Sequence, residues 1–338
     1  MAHEIATAAD GRASIAYINE TPWHGLGQRL TEGAPLEFWQ QEAGLDWTAK
    51  QSHVRFSRTF TGITGEEETV LAGSDDHVVL YRSDTGGVLS VVSPKYRPVQ
   101  PRQIIEFYRD LTERHGFVLE TAGALKDGKK VWALANTKHA LQLRGKDEVK
   151  GYLLLATSFD GSMATQARFT SIRVVCNNTL TLADKQGRAE VVVPHSTQFD
   201  ANKVKLDLGI GDAWEAFQKN AETMSRRIVS RDESVRFFLD VYYGLDTDEK
   251  IKAFQQDEKN NKTVEKFVGR MQESLFNSPG AHLESAKGML WGLVQAVTHD
   301  VDFRLPSRSQ ENRLNKAWFG SGAAIKQRAW NKALGMVA

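Results

Sequence analysis

The sequence predicts an α+β fold: an antiparallel, β-rich N-terminal part with at least one packed helix, followed by a mostly helical C-terminal part. Three observations carry this. From Leu45 to about His195, β-branched and aromatic residues alternate in short runs bounded by turn residues. From Asp212 onward, apolar residues recur at spacings of three and four. Hydrophobic residues make up 41% of the chain and charged residues 25%, the balance of a folded globular protein.

Near the start, Thr21 to Leu30 (TPWHGLGQRL) is too rich in proline and glycine for a helix or strand, so a structured loop is expected. A short helix follows over Leu36–Ala43 and stops at Gly44. Val54, Phe56 and the runs HVVLYR, GVLSVVS, FVLETAG and KKVWALA read as strands, with Asp127-Gly128 turning between the last two because glycine accepts a positive φ. GYLLLATS and RFTSIRVVC form another pair, joined by Phe159-Asp160-Gly161-Ser162. One helix interrupts the strands: Pro101 suits a first helical position, Ile104, Ile105, Tyr108 and Leu111 share a face, and Gly116 ends it.

In the second half, Trp214, Phe217, Ala221, Met224 and Ile228 form one amphipathic face. Asp232 is placed to cap a helix carrying Val235, Phe238, Leu239 and Tyr242. Val264, Phe267, Met271 and Leu275 make a third face, and Leu283, Ala286, Leu290, Leu293 and Val297 a fourth, with Gln255–Lys262 expected as an exposed joint. These patterns give a β-rich α+β domain over 1–200 and a helical region over 201–338, either separate or packed as one unit, with the boundary within 196–211.

Charge and cysteine content narrow the function classes. Lysine plus arginine number 43 against 42 acids, so a nucleic-acid surface would have to be a local patch. The one cysteine, Cys176, allows no internal disulfide and excludes a multi-cysteine zinc site; in an apolar strand it reads as a small core residue. The first residues do not resemble a signal peptide and no run of apolar residues is long enough to span a membrane, so a soluble cytoplasmic protein is expected, with no membrane partner.

No catalytic pattern emerges. His3-Glu4 lacks the second histidine of a zinc helix, and there is no G-x-S-x-G elbow. Gly320-Ser321-Gly322 before a helix resembles a phosphate cradle, but Ile325 stands where a third glycine belongs; Gly209-Ile210-Gly211 is weaker still, and both read as helix starts. His299, Asp300 and Asp302 have metal-ligating chemistry but no further ligand nearby in sequence. His24, between Trp23 and Gly25, is either an active group or the cap of a packed loop. No cofactor is required, no metal site is assigned, and an enzyme is disfavoured.

Nucleic-acid chemistry is concentrated in three stretches. Lys95-Tyr96-Arg97-Pro98-Val99-Gln100-Pro101-Arg102 has three cations, one aromatic ring and no acid at the mouth of a helix. The tail from Arg304 to Ala338 holds Arg304, Arg308, Arg313, Lys316, Lys326, Arg328 and Lys332 against Glu311, interleaved with Trp318, Phe319 and Trp330. Cations that follow a backbone and rings that stack on bases suit a single strand. Arg168 and Arg173 in RFTSIRVVCNNTL form a third candidate, with Asn177-Asn178 read as the cap of a helix from Thr179. The alternative is that the tail tryptophans are core anchors and the cations a solvated face.

Six segments occur in order: PWHGLG, PKYRPVQ, ETAGALKDGKKVWALA, TSFDGS, IRVVCNNTL and WFGSGAAIKQRA. Together they resemble the phage/plasmid-related family that bears a domain of unknown function, found on phages, prophages and conjugative plasmids. The resemblance implies a mobile-element setting and no settled reaction or catalytic residues. Many relatives carry a histidine where this chain has Phe159, so the departure favours a turn-forming role for Asp160-Gly161 over a metal or acid–base one. The expected function is an accessory protein that binds DNA, single-stranded, in annealing, protection or recombination. The contacts would be Lys95, Tyr96, Arg97, Arg102, Arg168, Arg173, Arg313, Lys316, Trp318, Phe319, Lys326 and Arg328. The alternative is a counter-defence or regulatory protein that binds a host protein; a homo-oligomer is compatible with either. A helix docked on an antiparallel sheet is also the look of RecT-like annealing proteins, an analogy of fold alone.

Overall fold

A computed structural model describes residues 5–19, 25–61, 63, 65–173, 178–181, 190–306 and 311–337; for residues 173, 178–181, 210, 311, 312 and 314 the backbone alone is described. His24, Trp23, Cys176, Asn177 and Arg308, singled out above, lie outside the described residues. The chain forms two compact units. Met1–Ala135, Leu154–Ala167 and Val192–Val204 make the first; Asn136–Leu153, Arg168–Val191 and Lys205–Ala338 make the second.

In the first unit β1 (Ile15–Tyr17) pairs in parallel with β2 (Gln28–Arg29). Helix α1 (Leu36–Glu42) forms where predicted, buries Leu36 and Trp39, and is followed by Gly44 at φ 62°. Next come β3 (Ala49–Thr61), β4 (Glu67–Arg82) and β5 (Val88–Val92), a separate antiparallel sheet in the order β3-β4-β5. Strand β5 reaches only Val78–Tyr81 of β4, so beyond that point β3 and β4 continue as a two-stranded ribbon. The register shifts between His53, opposite Val78, and Val54, opposite Ser74.

The single helix expected from Pro101 is two: α2 (Pro101–Glu106) and α3 (Arg109–His115). Pro101 is at the first position and Gly116, at φ 69°, ends α3, but the chain bends at the buried pair Phe107 and Tyr108. The bend lets the Tyr108 hydroxyl donate to the Ala133 carbonyl at 2.8 Å, so a buried polar atom decides against a continuous helix. Strands β6 (Val118–Leu125) and β7 (Lys130–Leu143) are joined by a turn with positive φ at Asp127 (56°) and Gly128 (93°), as the Asp-Gly pair predicts. With β8 (Asp147–Ser158) and β9 (Thr165–Arg173) the order in this unit is β2-β1-β6-β7-β8-β9. The last three strands contribute segments to both units.

A buried cation ties the first unit together. The Arg82 side chain is 3% exposed and grips Asp84 through Nη2 at 2.6 Å and Nε at 3.0 Å. It lies over the Trp47 ring at 4.8 Å, and Nη1 reaches the carbonyls of Thr7 and Asp127 at 3.4 Å each. A Cβ on Gly128 would lie 3.1 Å from both Arg82 and Trp47, so that turn glycine also makes room for the stack.

In the second unit β10 (Asn178–Thr181) pairs antiparallel with β9, and β11 (Glu190–Val193) also pairs with β9. The helix expected from Thr179 is therefore a strand; Asn178 sits opposite Arg173, and pairing with the edge of β9 overrides the local capping signal. The helices are α4 (Ala201–Leu208), α5 (Ile210–Met224), α6 (Arg231–Tyr243), α7 (Asp248–Gln255), α8 (Glu258–Asn277), α9 (Leu290–His299), α10 (Glu311–Phe319) and α11 (Ser321–Val337). A π-helical turn over Asp300–Arg304 continues α9.

Details differ from the periodicity. Ile228 lies beyond the end of α5 and is 73% exposed, its backbone bridging to Met289. Ser230, not Asp232, caps α6: its hydroxyl accepts from the Glu233 N–H while Glu233 accepts from the Ser230 N–H. Gln255–Lys262 is helical except at Gln256 and Asp257, and Asp257 caps α8. Leu283 and Ala286 lie in turns before α9 rather than on its face. The core centres on Phe217, 5.6 Å from Trp330 and 6.3 Å from Trp291. Buried Asp147 accepts from the Ser285 hydroxyl at 2.6 Å and the Trp291 indole at 3.1 Å. Among the described residues no helix is long and apolar enough to cross a membrane.

Removing one member of a buried ion pair strands the other, at a cost of about 3–5 kcal/mol. Asp84→Ala, which leaves the buried Arg82 guanidinium without its carboxylate, is therefore expected to lower the unfolding free energy by about 3 kcal/mol or more in a denaturant titration; a loss within about 0.5 kcal/mol, the scale of a surface change, would contradict the anchor. Burial by itself would raise the Asp84 carboxyl, but the hydrogen bond and positive charge of Arg82, together with the Thr85 N–H, outweigh it and hold the group below its ordinary 3.8. Its contribution is thus complete above that value and is lost as pH falls through the lower, folded value. Asp84→Asn should flatten that acid limb of the stability curve.

Candidate nucleic-acid interface

The loop before α2 is built so that its aromatic ring goes in and its cations go out. Tyr96 is half-buried: its hydroxyl donates to the Ser158 carbonyl at 2.7 Å and its ring stacks on His195 at 4.4 Å. Burial pushes the Tyr96 phenol well up, so it stays a neutral donor. His195 is held by the carbonyls of Met163 and Arg97 at 3.0 and 3.3 Å, and its own carbonyl accepts from the Arg97 N–H at 2.6 Å. With Tyr96 pinned, its neighbours Lys95 and Arg97 are exposed, and Val99 buries itself two residues on. Arg102 is exposed in the first turn of α2, with only a long 3.9 Å contact to Glu106.

This loop runs along the outer edge of β3. The Gln100 side chain accepts from the Ala49 N–H at 2.8 Å and donates to the Ala49 carbonyl at 3.2 Å, imitating one residue of a neighbouring strand. Gln51 donates to the Tyr96 carbonyl at 3.2 Å. The loop is thereby joined to a strand with the same chemistry. Residues 49–61 contain Lys50, Arg55 and Arg58, with His53, Phe56 and Phe60, and no acid. All six are exposed, Phe56 at 48% and Phe60 at 39%, and the Arg58 guanidinium lies 5.6 Å from the Phe60 ring. Val54, Phe56, Arg58 and Phe60 alternate onto one face of the ribbon. Opposite Arg55 and Arg58 stand Gly73 and Val70, and among the described residues no carboxylate pairs with Lys50, Arg55, Arg58, Lys95 or Arg97. Acids do flank the surface: Glu66, Glu67 and Glu68 at the ribbon tip, and Asp75 and Asp76 beside the register shift.

The periodicity treated 49–61 only as a strand. The available signal was a thirteen-residue strand with three cations, two phenylalanines and no acid; what hid it was that the loop 95–102 is more than thirty residues away in sequence.

The other expected contacts are elsewhere engaged. Arg168 pairs with Glu190 at 2.6 Å, both largely buried. The Arg173 side chain lies outside the described residues; its backbone pairs with Asn178. In the tail, Lys326 is 1% exposed and pairs with Asp302 at 2.8 Å, which takes it off the surface. Lys316 donates to the Pro306 carbonyl at 2.9 Å and Arg328 to the Val241 carbonyl at 2.8 Å. Arg304 pairs with Glu273 and Lys332 with Asp240. Trp330 is 3% exposed in the core, while Trp318 and Phe319 are half-buried with Trp318 packed on that core. Arg313 is half-buried on α10. Among the described residues, Arg304, Lys316, Lys326, Arg328 and Lys332 of the tail are thus spent on carboxylates and backbone carbonyls.

The Asp300 and Asp302 carboxylates are likewise committed. Asp300, fully buried, contacts Arg270 at 2.9 Å and accepts from the Tyr242 hydroxyl at 2.7 Å; Asp302 holds Lys326. Burial pushes the His299 imidazole down and the Tyr242 phenol up, so both stay neutral beside the ions. Gly209 and Gly320-Ser321-Gly322 are helix starts for α5 and α11. On the second unit, a groove of about 500 Å³ between α6, α7 and α8 has Val235, Leu239, Ile251, Val264 and Val268 in its lining, with Arg231 and Glu265.

A protein-family model described as "Domain of unknown function (DUF932)" matches residues 88–318. No curated protein and no solved structure matches the chain.

Lys326→Ala is expected to destabilise the fold by about 3 kcal/mol, since it leaves Asp302 uncompensated. Lys95→Ala and Arg97→Ala should each stay within about 0.5 kcal/mol of the parent. Thermal melts of the three variants check the division; equal effects would contradict it.

Proposed function

We propose that this chain, which belongs to the DUF932 family, binds single-stranded DNA along the basic surface made by β3 and the loop before α2. The observation that carries the reading is the joining of two acid-free segments, 49–61 and 95–102, at Ala49 and Gln51, so that Lys50, Arg58, Lys95, Arg97 and Arg102 are exposed along them, with Arg55 flanking from the opposite face of the ribbon. Cations bind phosphate whatever the sequence, and the exposed rings of Phe56 and Phe60 offer flat faces to bases. A single strand fits better than a duplex, because stacking requires bases that are already unpaired. The ordered motifs of a phage- or plasmid-related family give the setting: a mobile-element accessory protein acting in annealing, protection or recombination.

Relative to the residues expected from sequence, Lys95, Arg97 and Arg102 remain as contacts. Tyr96 becomes the pin that orients them, and the tail residues drop out in favour of Lys50, Arg55, Phe56, Arg58 and Phe60. The groove on the second unit favours the rival reading, a helix of a host protein seated by its apolar face.

Binding of a fluorescent oligonucleotide, measured across salt concentrations, tests the proposal. The logarithm of affinity should fall with the logarithm of salt by about 0.7 for each phosphate contact on a single strand. The quadruple variant Arg55→Ala, Arg58→Ala, Lys95→Ala, Arg97→Ala should reduce that slope by about 3. Phe56→Ala with Phe60→Ala should weaken binding by about 1–3 kcal/mol per base no longer stacked, with the slope unchanged. No binding at low salt, or a slope untouched by the quadruple variant, would overturn the reading and leave the protein partner.

A further inference from the structure

The ribbon of the first unit has two open edges of opposite charge. Residues 52–61 of β3 hydrogen-bond inward to β4, and residues 67–77 of β4 lie beyond the reach of β5. Among the described residues no backbone group outside the ribbon bonds to either run. Open edges of this length are templates for another strand, and a two-stranded ribbon exposed on both faces is marginal alone in water. Phe56, Phe60, Val70 and Leu71 are all exposed, Leu71 at 64%. Among the described residues no backbone group extends either edge of the ribbon, so its stability calls for a neighbour.

The charge pattern says which neighbour. Strand β3 carries Lys50, Arg55 and Arg58 with no acid; residues 66–81 carry Glu66, Glu67, Glu68, Asp75 and Asp76 with no lysine or arginine. We infer that the ribbon joins second copies of this chain head to tail, β3 of one copy pairing antiparallel along β4 of the next. Pairing like edges would set like charges side by side, which is unfavourable. The unlike pairing sets Arg55 and Arg58 along the edge that bears Glu67 and Glu68; in an antiparallel register with Arg58 opposite Glu67, Glu68 falls on the diagonal from Arg55. Such a contact is heterologous: it closes into a ring or grows into a filament according to the rotation between copies. Because it uses backbone edges, the ribbon face with Phe56 and Phe60 stays open, while Arg55 and Arg58 serve both readings, so oligonucleotide binding competes with assembly for them.

The test is mass in solution, by size exclusion with light scattering, at low salt and without nucleic acid. The parent should run as a multiple of 37.8 kDa that dissociates as salt rises. Arg55→Glu with Arg58→Glu turns the outer half of β3 acidic like β4, and Glu66→Arg with Glu67→Arg and Glu68→Arg turns the tip of β4 basic like β3; each variant alone should be a monomer. Their equimolar mixture should assemble again, since each then offers the edge the other lacks. Circular dichroism matching the parent shows that the monomers are folded. A monomeric parent, or variants that assemble like the parent, would overturn the inference; mixing without recovery would overturn the head-to-tail pairing. Loss of oligonucleotide binding with the mass unchanged would bear on the nucleic-acid reading alone.

Discussion

The Arg82 guanidinium leaves the root of β4, lies on the Trp47 ring and is clamped by Asp84, while its remaining nitrogen reaches the carbonyls of Thr7 and Asp127. Four parts of the first unit meet there: the N-terminal segment, the start of β3, the end of β4 and the turn between β6 and β7. A charge this deep is tolerated because its partner and acceptors are already in place, and for the same reason it fixes their geometry. With the root of the sheet held, the strands can run outward past their core without dissolving at the base.

Everything of functional interest in this unit follows from that overhang. Beyond Val78 the sheet has two strands rather than three, so side chains on both faces and both edges meet solvent. A strand in that position has no core to satisfy, and its composition is free to serve something else. Here it sorts charge strand by strand, cations on β3 and carboxylates on β4. The loop before α2 adds to the basic side because the Tyr96–His195 stack turns its ring inward and its cations outward. The tail shows the opposite economy: Lys326, Arg304 and Lys332 look like a binding face in sequence and are each paired with a carboxylate.

Sequence reading recovers what depends on local chemistry. The Asp-Gly turn, the Pro101 start, the Gly44 and Gly116 stops and the amphipathic faces of α5, α6 and α8 are set by neighbours within a few residues, and they appear where predicted. It fails where a distant partner decides. The backbone from Asn178 forms a strand rather than a helix because the edge of β9 pairs with it; Phe107 and Tyr108 break a helix because Ala133 lies within reach. The same limit governs the interface. Lys95, Arg97 and Arg102 were legible as an acid-free run, but Lys326 and Arg328 have the same local look, and only Asp302 and the Val241 carbonyl separate them. The β3 contribution was missed because a strand with exposed phenylalanines is indistinguishable, in sequence, from one that buries them.

The central claim is that the binding surface belongs to β3 and the loop beside it, not to the C-terminal helices. The most direct measurement is photocrosslinking of a halogenated oligonucleotide followed by mapping of the attached peptides. Adducts on Phe56 or Phe60, within peptides covering 49–61, are the predicted result. Adducts confined to Trp318, Phe319 and the rest of 311–337 would contradict it.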